Sequence, residues 1–140
     1  MSREQIRQDI ASAIDALKAD FPGGYLILIE YDNILLVDTQ YQINPYLRVD
    51  IKYIDMEQAD LSDNPMHRIH GQIILAAGVK EGGGTRAANT ILDYFYPKLQ
   101  RRTFGIVHTH MATVGPDVPH LGWLYSPVVI PFWVDLQYAL

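Results

Sequence analysis

In the stretch YLRVDIKYI at 46–54, apolar and polar side chains alternate strictly from Leu47 to Tyr53. A period of two marks an extended strand with one wet face, because successive side chains leave such a backbone on opposite sides. Leu47, Val49, Ile51 and Tyr53 are thereby assigned to a core, and Arg48, Asp50 and Lys52 to solvent. A slip of one residue would exchange the two sets, so the stretch commits the chain to a sheet buried on one face. The cover for that face has to come from elsewhere in the sequence.

Two segments have the helical period needed to supply it. Residues 2–20, SREQIRQDIASAIDALKAD, set Ile6, Ile10, Ile14 and Leu17, followed by Phe21, at intervals of three and four. Ser2 with Gln5 fits a capping box, and FPGG at 21–24 stops the helix. The run TRAANTILDYFYPKLQ at 85–100 offers Ala88, Ile91, Leu92, Phe95 and Leu99 to the core, with Thr85 as N-cap. Pro97 is expected to bend or end this second helix near Tyr96.

Between and after the helices the sequence reads as strands. YLILIEY at 25–31, HRIHGQIILAAGV at 67–79, RTFGIVHTHMA at 102–112 and VVIPFWVDLQY at 128–138 are the candidates besides 46–54. The acidic, turn-rich DMEQADLSDNPM at 55–66 is expected to be a projecting mobile loop, and 113–127 a Gly/Pro-rich connection. Consecutive strands joined by short loops pair antiparallel, and helices separated by strands gather on one face. The expectation is a single α+β domain over residues 1–140, with a mainly antiparallel sheet of four to five strands and two helices packed on one face.

Composition removes several classes of chemistry. There is no cysteine, which excludes disulfides, thiolate nucleophiles and cysteine-ligated zinc. Eleven basic against 16 acidic residues give a net charge of −5, and the densest basic cluster is the short KLQRR at 98–102. A tight or sequence-specific nucleic-acid partner is not expected on these grounds, because phosphate neutralisation needs a basic face. No apolar run reaches transmembrane length, so no membrane partner is expected and the default compartment is the cytoplasm.

The histidines are the best catalytic candidates. His108 and His110 are two apart in an expected strand, so both project from one face and could share a metal with a third ligand. GIVHTHM superficially resembles the His-x-His of the JAB/MPN metalloproteases. That motif continues with a proline, a serine and an aspartate at positions held here by Met111, Val118 and Leu121. His120 or a carboxylate such as Glu30 would have to replace the missing ligand. His67 and His70, three apart, face opposite sides of a strand. The glycine run VKEGGGTRAAN lacks the Lys-Ser/Thr of a phosphate loop, since Thr85 and Arg86 follow Gly84, and it lacks G-x-G-x-x-G. The expectation is therefore no catalytic, cofactor-binding or metal residue. The alternative is a small metal-dependent hydrolase built on the His108/His110 pair.

The layout carries a different resemblance. A helix with IRQDIASAIDAL leads into a strand ending IEYDN and then into NPYLRVDI. HGQIILAAGVKEGGGTRAANTILDYFYPKL passes from strand through a glycine turn to helix, and VVIPFWVDLQY closes the chain. In this order the sequence resembles the small tail-terminator (tail-completion) proteins of long-tailed bacteriophages and prophages. The resemblance implies a non-enzymatic α+β subunit of a hexameric ring that caps the finished tail tube and ends its polymerisation. It implies contacts with a tail-tube protein and a head-tail connector protein, and a place in the virion tail after assembly in the host cytoplasm. Alternation puts Phe132 on the inner side of the last strand and Trp133 outside with Asp135 and Gln137. Trp133, Trp123 and Tyr125 are accordingly the expected interface patch.

Overall fold

The structure is a computed structural model that describes residues 3–21, 28–31, 46–58, 66–80, 82, 86–120 and 122–137. In chain order its elements are α1 (Arg3–Ala19), β1 (Leu28–Tyr31), β2 (Tyr46–Gln58), β3 (Met66–Lys80), α2 (Arg86–Leu99), β4 (Thr103–Phe104), β5 (Val107–Thr109), β6 (Thr113–Val114), β7 (Val118–His120) and β8 (Trp123–Gln137). One sheet runs β1-β2-β3-β8-β5-β4, with β6 and β7 also paired to β8. The fold is α+β in a single domain. Among the described residues the sheet has eight strands rather than four to five, and the difference lies in short pieces.

Three long antiparallel strands form its body: β2 with 13 residues, β3 with 15 and β8 with 15. Leu47 and Val49 of β2, Ile73, Leu75 and Ala77 of β3, and Val128, Ile130, Phe132 and Val134 of β8 are all buried in one cluster. Their register partners lie side by side, as in Val49↔Leu75 and Leu75↔Val128, so they share the inner face. Ile6, Ile10 and Ile14 of α1, with Ala88, Ile91, Phe95 and Leu99 of α2, belong to the same cluster. Both helices therefore cover the same face, and Tyr94 Oη of α2 donates to the Leu17 carbonyl of α1 at 2.7 Å to bind them together. Full burial of each such aliphatic side chain contributes about 1.5–3 kcal/mol. The inward set read from 46–54 is thus observed, and Arg48 and Asp50 lie on the other face as an ion pair at 3.1 Å.

Several expectations are corrected. β1, which no short loop joins to β2, pairs with it in parallel within the otherwise antiparallel sheet. Residues 32–45 separate the two strands, a connection long enough for the crossover that parallel neighbours need. Residues 55–58 continue β2 and 66 begins β3, so the expected loop is shorter at both ends, and 59–65 lie outside the described residues. Ser2 and Thr85, expected as caps, also lie outside them, as does Tyr138. Helix α2 does not stop at Tyr96 but runs through Pro97 to Leu99. In the last turn a proline forfeits a single helical bond, and the turn it continues buries Leu99 to 1% exposure.

The expected single strand over 102–112 is instead a hairpin, β4 and β5, folded at Gly105 and Ile106. Gly105 has φ 61°, and a Cβ there would stand 2.1 Å from Asp9 Oδ2. The close approach has a purpose, because that same carboxylate accepts the Ile106 amide at 3.0 Å and ties α1 to the hairpin.

The stretch 113–127 also gains strands, and two prolines explain their shortness. Pro131 and Pro127 sit inside β8, and their carbonyls accept the His110 and Gly115 amides on the side away from β3. In an extended strand a residue's N–H and C=O point the same way, so the missing proline donors also face that side. Pro131 falls between the β5 pairing at Phe132–Trp133 and the β6 pairing at Val128–Val129, and Pro127 between β6 and the β7 pairing at Trp123–Tyr125. The ladder to β3 stays continuous from Trp123 to Gln137. The other flank is cut into three pieces.

Candidate functional site

The outer face of the sheet carries two aromatic groups, one at each end. At one end Tyr46, Trp123 and Tyr125 cluster over Gly78. The Tyr46 ring lies 5.0 Å from Trp123 and 6.1 Å from Tyr125, both edge-on, and the two tyrosine hydroxyls hydrogen-bond to each other. A Cβ on Gly78 would come within 3.0 Å of both tyrosine rings, so the cluster requires a residue without a side chain there. Lys80 lies over Trp123 with its Nζ 4.9 Å from the ring centre. Trp123 is only 3% exposed. Its expected place in a surface patch is therefore corrected, because its neighbours within the chain already cover it, while Tyr125 beside it is half-buried.

At the other end Trp133 is half-buried and lies on the outer face, where alternation puts it. It is held on both sides. His108 of β5 stacks on its ring at 4.1 Å and 19°, and the Arg68 guanidinium of β3 lies 4.4 Å from its centre. Arg68 donates from Nε to Asp135 Oδ1 at 2.8 Å and from Nη2 to Oδ2 at 3.0 Å, a two-pronged pair that fixes the guanidinium plane. These bonds hold the Asp135 carboxyl below its ordinary pKa against the burial that opposes the shift. The charge of Arg68 adds to it, followed by those of His108 and His70. His108 Nδ1 also shares a hydrogen bond with Thr103 Oγ1 at 2.9 Å across the hairpin.

Beside this stack an open groove of about 600 Å³ is lined by Arg101, Arg102, His108, His110, Met111 and Trp133. The two arginines owe their position to the end of α2. Arg101 adopts φ 52°, the left-handed turn that ends a helix, and the chain then folds onto β5. Thr109 amide donates to the Arg102 carbonyl at 2.8 Å, and Thr109 Oγ1 accepts the Arg102 amide at 2.9 Å. The buried Thr109 is thus a strap for the basic pair. Arg101 Nη2 reaches Met111 Sδ at 3.6 Å. Among the described residues neither guanidinium meets a carboxylate.

His108 and His110 do line one groove, as their spacing suggested. The third ligands proposed for them lie elsewhere. His120 is opposite Trp123, ten positions along β8 from the Trp133 that faces His108, which is roughly 30 Å of extended strand. Glu30 pairs with Arg48 on β1, at the opposite edge of the sheet and more than about 20 Å away. Among the described residues no cluster of three or more His, Asp or Glu side chains could hold a metal ion. The groove's chemistry is cationic and aromatic, suited to an acidic or amphipathic surface. Arg68 and Asp135, which frame Trp133, were missed in the sequence because nothing there places residues 68 and 135 side by side before the β3–β8 register is known.

No protein-family model matches the chain, and no curated protein matches it. Among the described residues no helix is long and apolar enough to cross a membrane. One solved structure is 14% identical with a TM-score of 0.69, covering 100% of this chain and 99% of its own. At that identity the likeness speaks for architecture alone: the chain is similar along its whole length to a protein of the same fold.

Proposed function

We propose that this protein is a structural assembly subunit of a long-tailed phage or prophage, a tail terminator. Its copies form a hexameric ring that caps the tail tube, ends polymerisation and offers the connector a joining surface. The order of elements along the sequence supports the family, and one observation supports the ring. Among the described residues, large exposed apolar side chains occur at two places on opposite flanks of the β3–β8 pair. Ile54 (59% exposed) and Met56 (50%) lie on β2, and Met111 (57%), Val114 (69%) and Val118 (50%) lie on the segmented flank of β8. Two unlike patches facing apart are what a head-to-tail contact needs, and head-to-tail contacts form a ring when the rotation from copy to copy closes.

The test is electron microscopy and sedimentation of the purified protein, alone at high concentration and with tail-tube protein. Six-membered rings, or caps on tube ends that stop their growth, are expected. A protein that stays monomeric under both conditions and leaves tube growth unchanged overturns the proposal.

A further inference from the structure

We infer that the basic groove of one copy receives the acidic, apolar β2 edge of the next, so that Asp55, Ile54 and Met56 dock against Arg101, Arg102, His110 and Met111. The inference rests on the ring reading and adds the partner surfaces.

Three observations carry it. First, the two surfaces lie at the two ends of one row of the sheet. Asp55 pairs with His70, His70 with Trp133, Trp133 with His108 and His108 with Thr103, so the row crosses β2, β3, β8, β5 and β4 in order and ends at a residue that also lines the groove. The ends are roughly 19 Å apart by ordinary strand spacing, and each is placed for a copy on its own side. Second, their charges are complementary. Asp55 is exposed and meets no cation among the described residues, and it opens the sequence's acidic run. Arg101 and Arg102 are exposed and meet no carboxylate there. Arg3 lines the same pocket as Asp55 without forming an ion pair with it, so the carboxylate is left to meet the basic groove, and opposite charges select for one orientation of docking. Third, each surface pairs its charge with apolar area, Ile54 and Met56 on one and Met111 on the other, with half-buried Trp133 as the groove's flat wall. Among the described residues β1 pairs with the β2 edge only at Tyr46–Val49.

The surfaces are unlike, so blocking them separately and then mixing gives a distinctive outcome. The groove variant carries Arg101→Ala with Arg102→Ala, so that no acidic groove is created for the lysine edge of the other variant to bind. The edge variant carries Asp55→Lys with Met56→Lys. All four positions are exposed, and an unchanged circular dichroism spectrum and melting temperature would show that each variant folds. Each alone should be monomeric, with self-association weakened at least about tenfold. A 1:1 mixture retains one wild-type groove and one wild-type edge between two chains. It should therefore give heterodimers and nothing larger by sedimentation, and the wild-type assembly should loosen as salt rises.

Wild-type rings with variants that still form rings would overturn this contact while leaving the ring reading standing. A wild type that stays monomeric both alone at high concentration and with tail-tube protein, and leaves tube growth unchanged, would overturn both. A mixture that stays monomeric, from variants that each fold and each fail to assemble, would show that the two surfaces are not partners and would also overturn the inference.

Discussion

Replacing Val49 with aspartate puts a carboxyl group where the side chain is 1% exposed, between Tyr31 of β1 and Leu75 of β3. Strands on both sides prevent the residue from turning to solvent. Losing the buried valine costs about 1.5–3 kcal/mol. A carboxyl in such surroundings has its pKa raised by about 3–5 units, and because the group protonates once that value passes the ambient pH, the penalty at pH 7 is about 4 kcal/mol. The sum, about 6–7 kcal/mol, rivals the whole stability of a domain, about 5–15 kcal/mol. Asp50, one residue on, is the control. Its ion pair with Arg48 has side-chain exposures of 29% and 43%, so Asp50→Ala should cost no more than about 1 kcal/mol. Denaturant melts followed by circular dichroism should find Val49→Asp unfolded or insoluble at pH 7 and Asp50→Ala close to wild type. The new carboxyl's pKa is higher in the folded than in the unfolded state, so its ionisation penalty is absent below about pH 4 and grows as pH rises. Val49→Asp should accordingly be least impaired in mild acid. Two variants melting together, or Val49→Asp folding normally at pH 7, would refute the face assignment and the core built on it.

Gly105→Ala should destabilise by about 2–4 kcal/mol, from the left-handed backbone and the lost Asp9 bond to the Ile106 amide. In a double-mutant cycle with Asp9→Ala the two losses should be less than additive; full additivity would remove the proposed clash. Trp123→Ala should cost about 3–5 kcal/mol in a thermal or denaturant melt, as expected for a buried aromatic. Trp133→Ala should leave the fold intact and lower the assembled fraction by light scattering, and an unchanged assembly would take Trp133 out of the interface. Asp135 has a folded-state pKa below its unfolded one, so its contribution is present above about pH 4 and fades as pH falls through the folded value. Asp135→Asn should be less stable than wild type at pH 7 by up to about 1 kcal/mol, given the 36% and 29% exposure of the pair. That gap should close with acidification, and a gap independent of pH would dismiss the ion pair as its source.

Periodicity was enough to read the long elements. The Ile6, Ile10 and Ile14 stripe, the alternation at 46–54 and the apolar positions of β3 each repeat often enough that one residue type out of place does not blur the pattern. The short strands were not legible, because Thr103–Phe104 and Thr113–Val114 are two residues each and no period can be read from two. Gly105 and the two prolines of β8 held the relevant signals, but their meaning depended on which side of the strand faced a partner. The site was legible one residue at a time. Trp133 could be placed outside by alternation and the 98–102 cluster seen as basic, yet their meeting in one groove depends on the hairpin and on the left-handed turn at Arg101.

The row that joins groove to edge exists because β2 breaks its own alternation. From Leu47 to Tyr53 the odd positions face the helices. Continued without interruption, that pattern would send Asp55 inward and leave Ile54 in the outer row. The register shifts between Tyr53 and Asp55, so one extra residue enters β2 there and every later side chain changes face. Asp55 joins His70, Trp133 and His108 outside, and Met56 is set opposite Ile69 on the inner side. At that end of the strand Met56 is still 50% exposed while its partner Ile69 is 3% exposed, so the helices cover β3 but stop short of β2. A bulge at an open edge both twists it away from indiscriminate strand pairing and aims particular side chains at a neighbour. Here it sets an acid on the outer face and a methionine on the inner face of the same strand end. In the proposed ring, the edge's charge and its apolar contact both depend on that one inserted residue.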